Sequence, residues 1–175
     1  MVDYLRVKFH IVEIAETCLF LLVVCFSLSG CANKEDEVTE YARQYFEEEN
    51  VTFAPSLKSC LIIPGGGCSG CIASGLSFLR DNQESFSIRQ SENMVVLTNI
   101  VSRKLLRRNL EAKSINASKL NAVVDTGNVY MVDFRYNDYP LVVYLENGSV
   151  VRVEYQSAET KALRNYGEFL HGRGE

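Results

Sequence analysis

Pro64-Gly65-Gly66-Gly67 breaks the chain between the apolar run Cys60 to Ile63 and a stretch with helical periodicity, Ser69 to Arg80. Three adjacent glycines favour neither helix nor strand, so the segment reads as a hinge between two regular elements. Residues 57–63 are then predicted as a buried strand, and 69–80 as a helix with Ile72, Leu76 and Leu79 facing inward. At the junction stand Cys68-Ser69-Gly70-Cys71. A cysteine at a helix N-terminus meets unpaired backbone N–H groups and the positive end of the helix dipole, which favour its thiolate. The second cysteine, one turn on, can close on the first.

The remaining pattern alternates between helix and strand. Val38, Tyr41, Ala42, Tyr45 and Phe46 recur at helical spacing among acidic residues and predict an amphipathic helix over 37–49, stopped by Asn50 and Ala54-Pro55. The run MVVLTNI at 94–100 predicts a second buried strand, followed by a helix over 102–113. The basic face of that helix, Arg103, Lys104, Arg107 and Arg108, is most simply solvated, with an anionic partner as the alternative. Strands are predicted at 121–125 and 129–134. Glu146-Asn147-Gly148-Ser149 predicts a tight hairpin between 141–145 and 150–155, because Asn-Gly tolerates the positive φ angles of such a turn. A last helix is predicted over 157–170, capped by Ser157, with Leu163, Tyr166 and Leu170 on one face. Alternating elements of this kind imply an α/β sandwich: a central mixed β-sheet flanked by helices, with an extra N-terminal helix.

Ahead of this domain lies the apolar run CLFLLVVCFSL, 18–28, too short to span a bilayer comfortably and of the length of a signal-peptide core. Leu28-Ser29-Gly30-Cys31 follows it and resembles the lipobox of bacterial lipoproteins. The resemblance implies cleavage before Cys31 and lipid on Cys31, so that 1–30 is a signal peptide and 31–37 a lipidated cysteine with a polar tether. The domain is then 38–175. A plain signal peptide or short anchor is the alternative, since Arg6 and Lys8 are diluted by Asp3, Glu13 and Glu16. Lys34 followed by Glu35-Asp36-Glu37 resembles the surface-export signal of Bacteroidetes lipoproteins, although a solvated charged linker is the commoner explanation of such a run. The expected location is the cell envelope, with the membrane reached through lipid at Cys31 and the protein facing the periplasm or the cell surface.

Removal of 1–30 leaves 16 basic and 19 acidic residues, a mild negative balance that argues against nucleic acid as a partner. Three cysteines remain beside Cys31: Cys60, Cys68 and Cys71. That is one pair and one left over, not a disulfide scaffold. Cys60 reads as a small buried hydrophobe. A zinc site would need these three and His171 in the tail, a poor match to structural zinc spacing, so no metal and no cofactor is expected.

The order strand, Cys-x-x-Cys, helix, strand, helix, then a proline opening a hairpin before a last helix resembles the thioredoxin-like fold over roughly 57–170. In that family the first cysteine is the nucleophile and the second resolves the mixed disulfide, roles that fall on Cys68 and Cys71. The family also sets a cis-proline against the cysteine pair. Pro140 matches it, and the resemblance implies a cis Tyr139–Pro140 bond and a substrate groove of Tyr139, Pro140, Gly67, Ser69 and Gly70; a trans proline opening an edge strand is the alternative. Gly67 stands where many thioredoxins carry Trp, and Ser69-Gly70 replaces their Gly-Pro. A buried acid to deprotonate the resolving thiol has only Asp125 and Asp133 as candidates.

The expectation is thus a lipid-anchored thiol–disulfide oxidoreductase, reducing or isomerising disulfides in exported proteins and recharged by an envelope reductase. The alternative is a non-enzymatic lipoprotein whose domain is a binding module, with Cys68 and Cys71 as a static staple.

Overall fold

The computed structural model describes residues 34–132, 138–157 and 160–172. The leader, Cys31 and Asp133 lie outside the described residues. Element order is α1 (Lys34–Glu48), β1 (Ser59–Pro64), α2 (Ser69–Asp81), α3 (Gln83–Ile88), β2 (Asn93–Thr98), α4 (Arg103–Ala112), β3 (Ala122–Val124), β4 (Leu141–Glu146), β5 (Ser149–Tyr155) and α5 (Ala162–Leu170), with a 3-10 turn at Ala117–Lys119 before β3. Among the described residues no helix is long and apolar enough to cross a membrane.

The five strands form one mixed sheet in the order β3-β2-β1-β4-β5. β1 is central. It runs parallel to β2, Ser59 opposite Asn93 through Pro64 opposite Thr98, and antiparallel to β4, Ser59 opposite Tyr144 through Ile62 opposite Leu141. Every residue of β1 and β2 is buried, which is why both read as unbroken apolar runs rather than alternating ones.

Alternate residues of β1 feed two cores. Cys60 and Ile62 pack with Met94, Val143 and Val153 under α1, whose Val38, Ala42 and Phe46 are buried. Leu61 and Ile63 pack on the other face with Leu76 and Leu79 of α2, Phe86 of α3, and Leu163, Tyr166 and Leu170 of α5. Each buried Leu, Ile or Phe contributes roughly 1.5–3 kcal/mol of hydrophobic stabilisation, so the central strand is anchored from both sides. α1 starts at Lys34, and the later part of the expected tether 31–37 is helical.

Three expectations are corrected. Residues 129–132 are not a strand: Asn128 has φ 61°, and the buried Asp125 carboxylate accepts from the Gly127 and Tyr130 N–H groups at 3.1 and 2.9 Å, drawing the backbone into a turn. α3 lies in a stretch where no element is predicted. The last helix starts at Ala162, not Ser157; Ser157 and Thr160 bond one another, and the Gln156 side chain takes the Leu163 N–H at 3.0 Å. The hairpin is as expected, with Asn147 at φ 52° and Gly148 at φ 81°.

Candidate active site

The hinge leaves the C-terminal end of β1 and is held by the loop that follows β2. Gly65 N–H donates to the Thr98 carbonyl at 2.7 Å, extending the β1–β2 pairing one step. A Cβ on Gly65 would meet Ile100 Cδ1 at 2.7 Å and the Asn99 carbonyl at 3.1 Å. Gly67 is under a second constraint. Its φ is 106°, and an added Cβ would fall on the Asp138 carboxyl, with Asp138 Cγ at 2.8 Å and Cα at 3.0 Å. The residue before the first cysteine is therefore glycine because another chain segment occupies the side-chain space.

Cys68 is the N-cap of α2, with extended backbone (φ −63°, ψ 105°), and its sulfur accepts the Cys71 N–H at 3.4 Å. The two sulfurs are 2.7 Å apart, with the Cys71 thiol donating to Cys68. Cys68 is exposed and Cys71 only partly so. The Cys71 thiol, then the Cys71 backbone N–H, hold the Cys68 thiol below its ordinary pKa, against the Asp138 carboxylate, which raises it. Burial, then the hydrogen bond to Cys68 and the charges of Cys68 and Asp138, push Cys71 up to about 11. Of the two sulfurs Cys68 is the easier to ionise, while Cys71 keeps its proton at neutral pH. Such a pair can attack an external disulfide through Cys68 and close internally through Cys71.

Ser69 is exposed, and nothing lies within 4 Å of a Cβ placed on Gly70, so this side of the pair is open. Pro140 is buried and its ring seats on α2: a Cβ on Gly75 would meet Pro140 Cγ at 3.1 Å and Ile63 Cγ2 at 3.3 Å. Tyr139 is half-buried with its ring 5.9 Å from that of Tyr155. The Tyr139–Pro140 bond is trans, which corrects the cis expectation. In this form Pro140 opens an interior strand, and its carbonyl accepts the Gln156 N–H at 2.8 Å, prolonging the β4–β5 pairing.

Asp125 is committed elsewhere. Besides the two turn N–H groups, its carboxylate accepts from the Thr98 hydroxyl at 2.8 Å. Cys60 lies in the core under α1, on the opposite sheet face from α2, and burial pushes its thiol up. Among the described residues no three His, Cys, Asp or Glu side chains gather as a metal-ligand set; His171, after α5, has its ring 3.5 Å from the Ser85 hydroxyl.

Two components carry no recognisable sequence signal. Asp138 acts on both cysteines through a tertiary contact. An apolar cleft also runs along α2 beside the pair, with Gly65, Ile72 and Leu76 shared by its two parts, one reaching Ser69 and the other Val101 and Leu105. Comparison with protein-family models, with curated proteins and with solved structures finds no match to this chain.

Proposed function

We propose that the protein is a thioredoxin-like, lipid-anchored thiol–disulfide oxidoreductase of the bacterial cell envelope that reduces or isomerises disulfides in exported proteins. The observation that carries this reading is the asymmetry of the pair: an exposed N-cap thiol with a lowered pKa, 2.7 Å from a sheltered thiol held protonated. The order of elements around it and the packing of Pro140 on the cysteine helix support the fold assignment. The Leu28-Ser29-Gly30-Cys31 sequence supports the anchor.

In the reaction the Cys68 thiolate attacks one sulfur of the substrate disulfide, that S–S bond breaks, and the departing sulfur leaves as a thiolate. Cys71 then gives up its proton and attacks Cys68, forming the Cys68–Cys71 disulfide and releasing the second substrate thiol. Two electrons pass to the substrate. An envelope reductase restores the dithiol, and no organic cofactor is required.

A Cys71→Ser variant expressed in the envelope is expected to accumulate mixed disulfides at Cys68, separable on non-reducing gels and absent from Cys68→Ser/Cys71→Ser. A clean lack of adducts would defeat the reading. Fatty-acid labelling lost in Cys31→Ala tests the anchor independently.

One observation favours the second reading, an interaction platform without turnover: the Pro140 carbonyl beside the pair is engaged by the Gln156 N–H within the β4–β5 pairing. Equilibration with glutathione separates the two, since a pair still oxidised below about −300 mV behaves as a staple.

A further inference from the structure

Two helices on opposite faces of the sheet begin at the same end of it. α1 runs against β5: the Thr39 hydroxyl accepts the Val153 N–H at 2.9 Å and, one turn on, the Arg43 guanidinium donates to the Val150 carbonyl at 3.3 Å. β5 is antiparallel to β4 and β4 to β1, so α1 starts at the end of the sheet where β1 passes into the hinge and the cysteine pair. β2 is parallel to β1, and Val101 and α4 follow its last residue, so they begin at that end too. Cys31 stands three positions before Lys34, the first residue of α1, a span of at most about 11 Å. A lipid on Cys31 therefore sets the bilayer close to the cysteine-pair end of the domain.

The start of α4 carries the side chains that an anionic bilayer surface takes. Val101 is 82% exposed, the highest value among the large apolar residues described, and Leu105, four residues on, is 52% exposed. α4 has no fully buried residue; Leu106 and Leu110 turn toward the sheet, while Arg103, Lys104, Arg107 and Arg108 are exposed. Its one acid, Glu111 on the last turn, faces Arg107 at 3.7 Å, and Arg103, Lys104 and Arg108 have no ion pair among the described residues. In a chain of formal net charge −4 this helix is locally basic. Exposed apolar side chains beside unpaired cations are the pattern of a helix that lies on a headgroup layer, where each cation close to anionic lipid adds to binding. The acidic α1 packs on the opposite face of the sheet, away from α4.

We infer that the loop after β2 and the first two turns of α4 dock on an anionic lipid surface, with Val101 and Leu105 entering the headgroup layer and Arg103, Lys104 and Arg108 meeting lipid phosphates. The orientation rests on the proposed anchor at Cys31, whereas the contact itself needs neither the anchor nor thiol exchange. Its consequence for the site is selection by place. Cys68 lies at the same end of the sheet, so it is held close to the bilayer and meets disulfides of membrane-attached proteins before those of freely diffusing ones.

The test uses the full chain, expressed and processed in the envelope as Cys68→Ser/Cys71→Ser and reconstituted into phosphatidylcholine vesicles with or without phosphatidylglycerol. A nitrobenzoxadiazole label is placed at Val101→Cys or, at the opposite end of the sheet, at Asn147→Cys in the hairpin, and its quenching by spin-labelled lipid is read. With phosphatidylglycerol present, the label at 101 is expected to be quenched at least about threefold more than the label at 147, and the difference should shrink in neutral vesicles and at high salt. Arg103→Glu/Lys104→Glu/Arg108→Glu, all on the exposed side of α4, should abolish it, and Leu105→Ser should reduce it. Equal quenching at the two positions, quenching at 101 that ignores phosphatidylglycerol, or quenching that survives the charge reversal overturns the inference. If no lipid is found on Cys31, the anchor reading fails separately. Co-sedimentation of the same chain with both kinds of vesicle then decides the docking: a preference for phosphatidylglycerol that the charge reversal removes sustains it, and no preference, or one that persists, overturns it.

Discussion

Replacing Gly67 by Ala tests the geometry on which the cysteine pair depends. An L residue at φ 106° leaves the ordinary allowed regions, and a residue held in such a place costs on the order of 1–3 kcal/mol. The new methyl also meets Asp138, whose Cγ and Cα would lie 2.8 and 3.0 Å away, closer than carbon atoms approach without repulsion. Overpacking of this kind costs about 1–3 kcal/mol. The two costs are distinct, because the carboxyl can be removed while the backbone angle stays. Gly67→Ala is therefore expected to destabilise the domain by about 3 kcal/mol, a fall of roughly 1.5 M in the urea midpoint at a slope near 2 kcal/mol/M. Asp138→Ala in the same background should recover about 1 kcal/mol and no more, since Asp138 Cα remains in place. Urea unfolding of the four proteins of this cycle, with dithiol maintained, gives the coupling directly. A loss below about 1 kcal/mol in Gly67→Ala, or no recovery from Asp138→Ala, would show that the hinge tolerates a side chain and that Asp138 does not press on it.

The electrostatics give a second prediction, read from the pH dependence of Cys68 alkylation by iodoacetamide with the adduct located by mass spectrometry. The thiolate is the reactive form, so a lowered pKa places the midpoint below that of a free thiol; Cys71→Ala, which removes the first cause of the lowering, should move it up, and Asp138→Asn, which removes an opposing charge, should move it down. A midpoint unmoved in Cys71→Ala would disprove the assigned cause. A third prediction concerns the core: the Tyr166 hydroxyl lies 2.7 Å from Ser59 Oγ, which is itself 2.6 Å from Asn93 Oδ1, all buried between α5 and the sheet. Tyr166→Phe should cost about 1–2 kcal/mol in urea unfolding with an unchanged slope, and a cost under about 0.5 kcal/mol would mean that the hydroxyl contributes little there.

What was legible in the sequence was what local physics controls. The β1, hinge and α2 unit could be read because three glycines and a buried apolar run permit few alternatives, and the hairpin because Asn147-Gly148 adopts the two positive φ angles its turn requires. α3 could not, since six residues with Phe86 as their only buried one show no period. The segment 129–132 has the apolar character of a strand, and Val132 is indeed buried, but the Asp125 carboxylate takes the Tyr130 N–H and the Asn128 and Tyr130 carbonyls take those of Met131 and Val132, which leaves no row of donors for a sheet edge. α5 starts later than Ser157 for a similar reason: Ser157 has the chemistry of a cap but bonds Thr160, and Gln156 supplies the bond to the helix. In the last two cases a side chain competing for backbone hydrogen bonds decides the outcome, and residue type alone does not show which competitor wins.

The same limit explains the candidate site. Cys68 and Cys71 follow from spacing, and the N-cap position of Cys68 follows from the break before it. The loop Asp138-Tyr139-Pro140 does not, although it does two things at once. Pro140 seats on Gly75 within α2, while Asp138 closes on Gly67 at the other side of the cysteine pair. One three-residue segment thus grips the cysteine helix on both sides of the pair, so a displacement of that loop changes hinge and helix together. Its charge also acts in one direction on both thiols, raising each, whereas the thiol of Cys71 raises its own pKa and lowers that of Cys68 through a single hydrogen bond. The difference between the two cysteines therefore originates within the pair and in burial, and Asp138 sets the level about which they differ. Loss of Asp138 should make both sulfurs easier to ionise while preserving their order, a pattern distinct from that of Cys71→Ala, which removes the order itself.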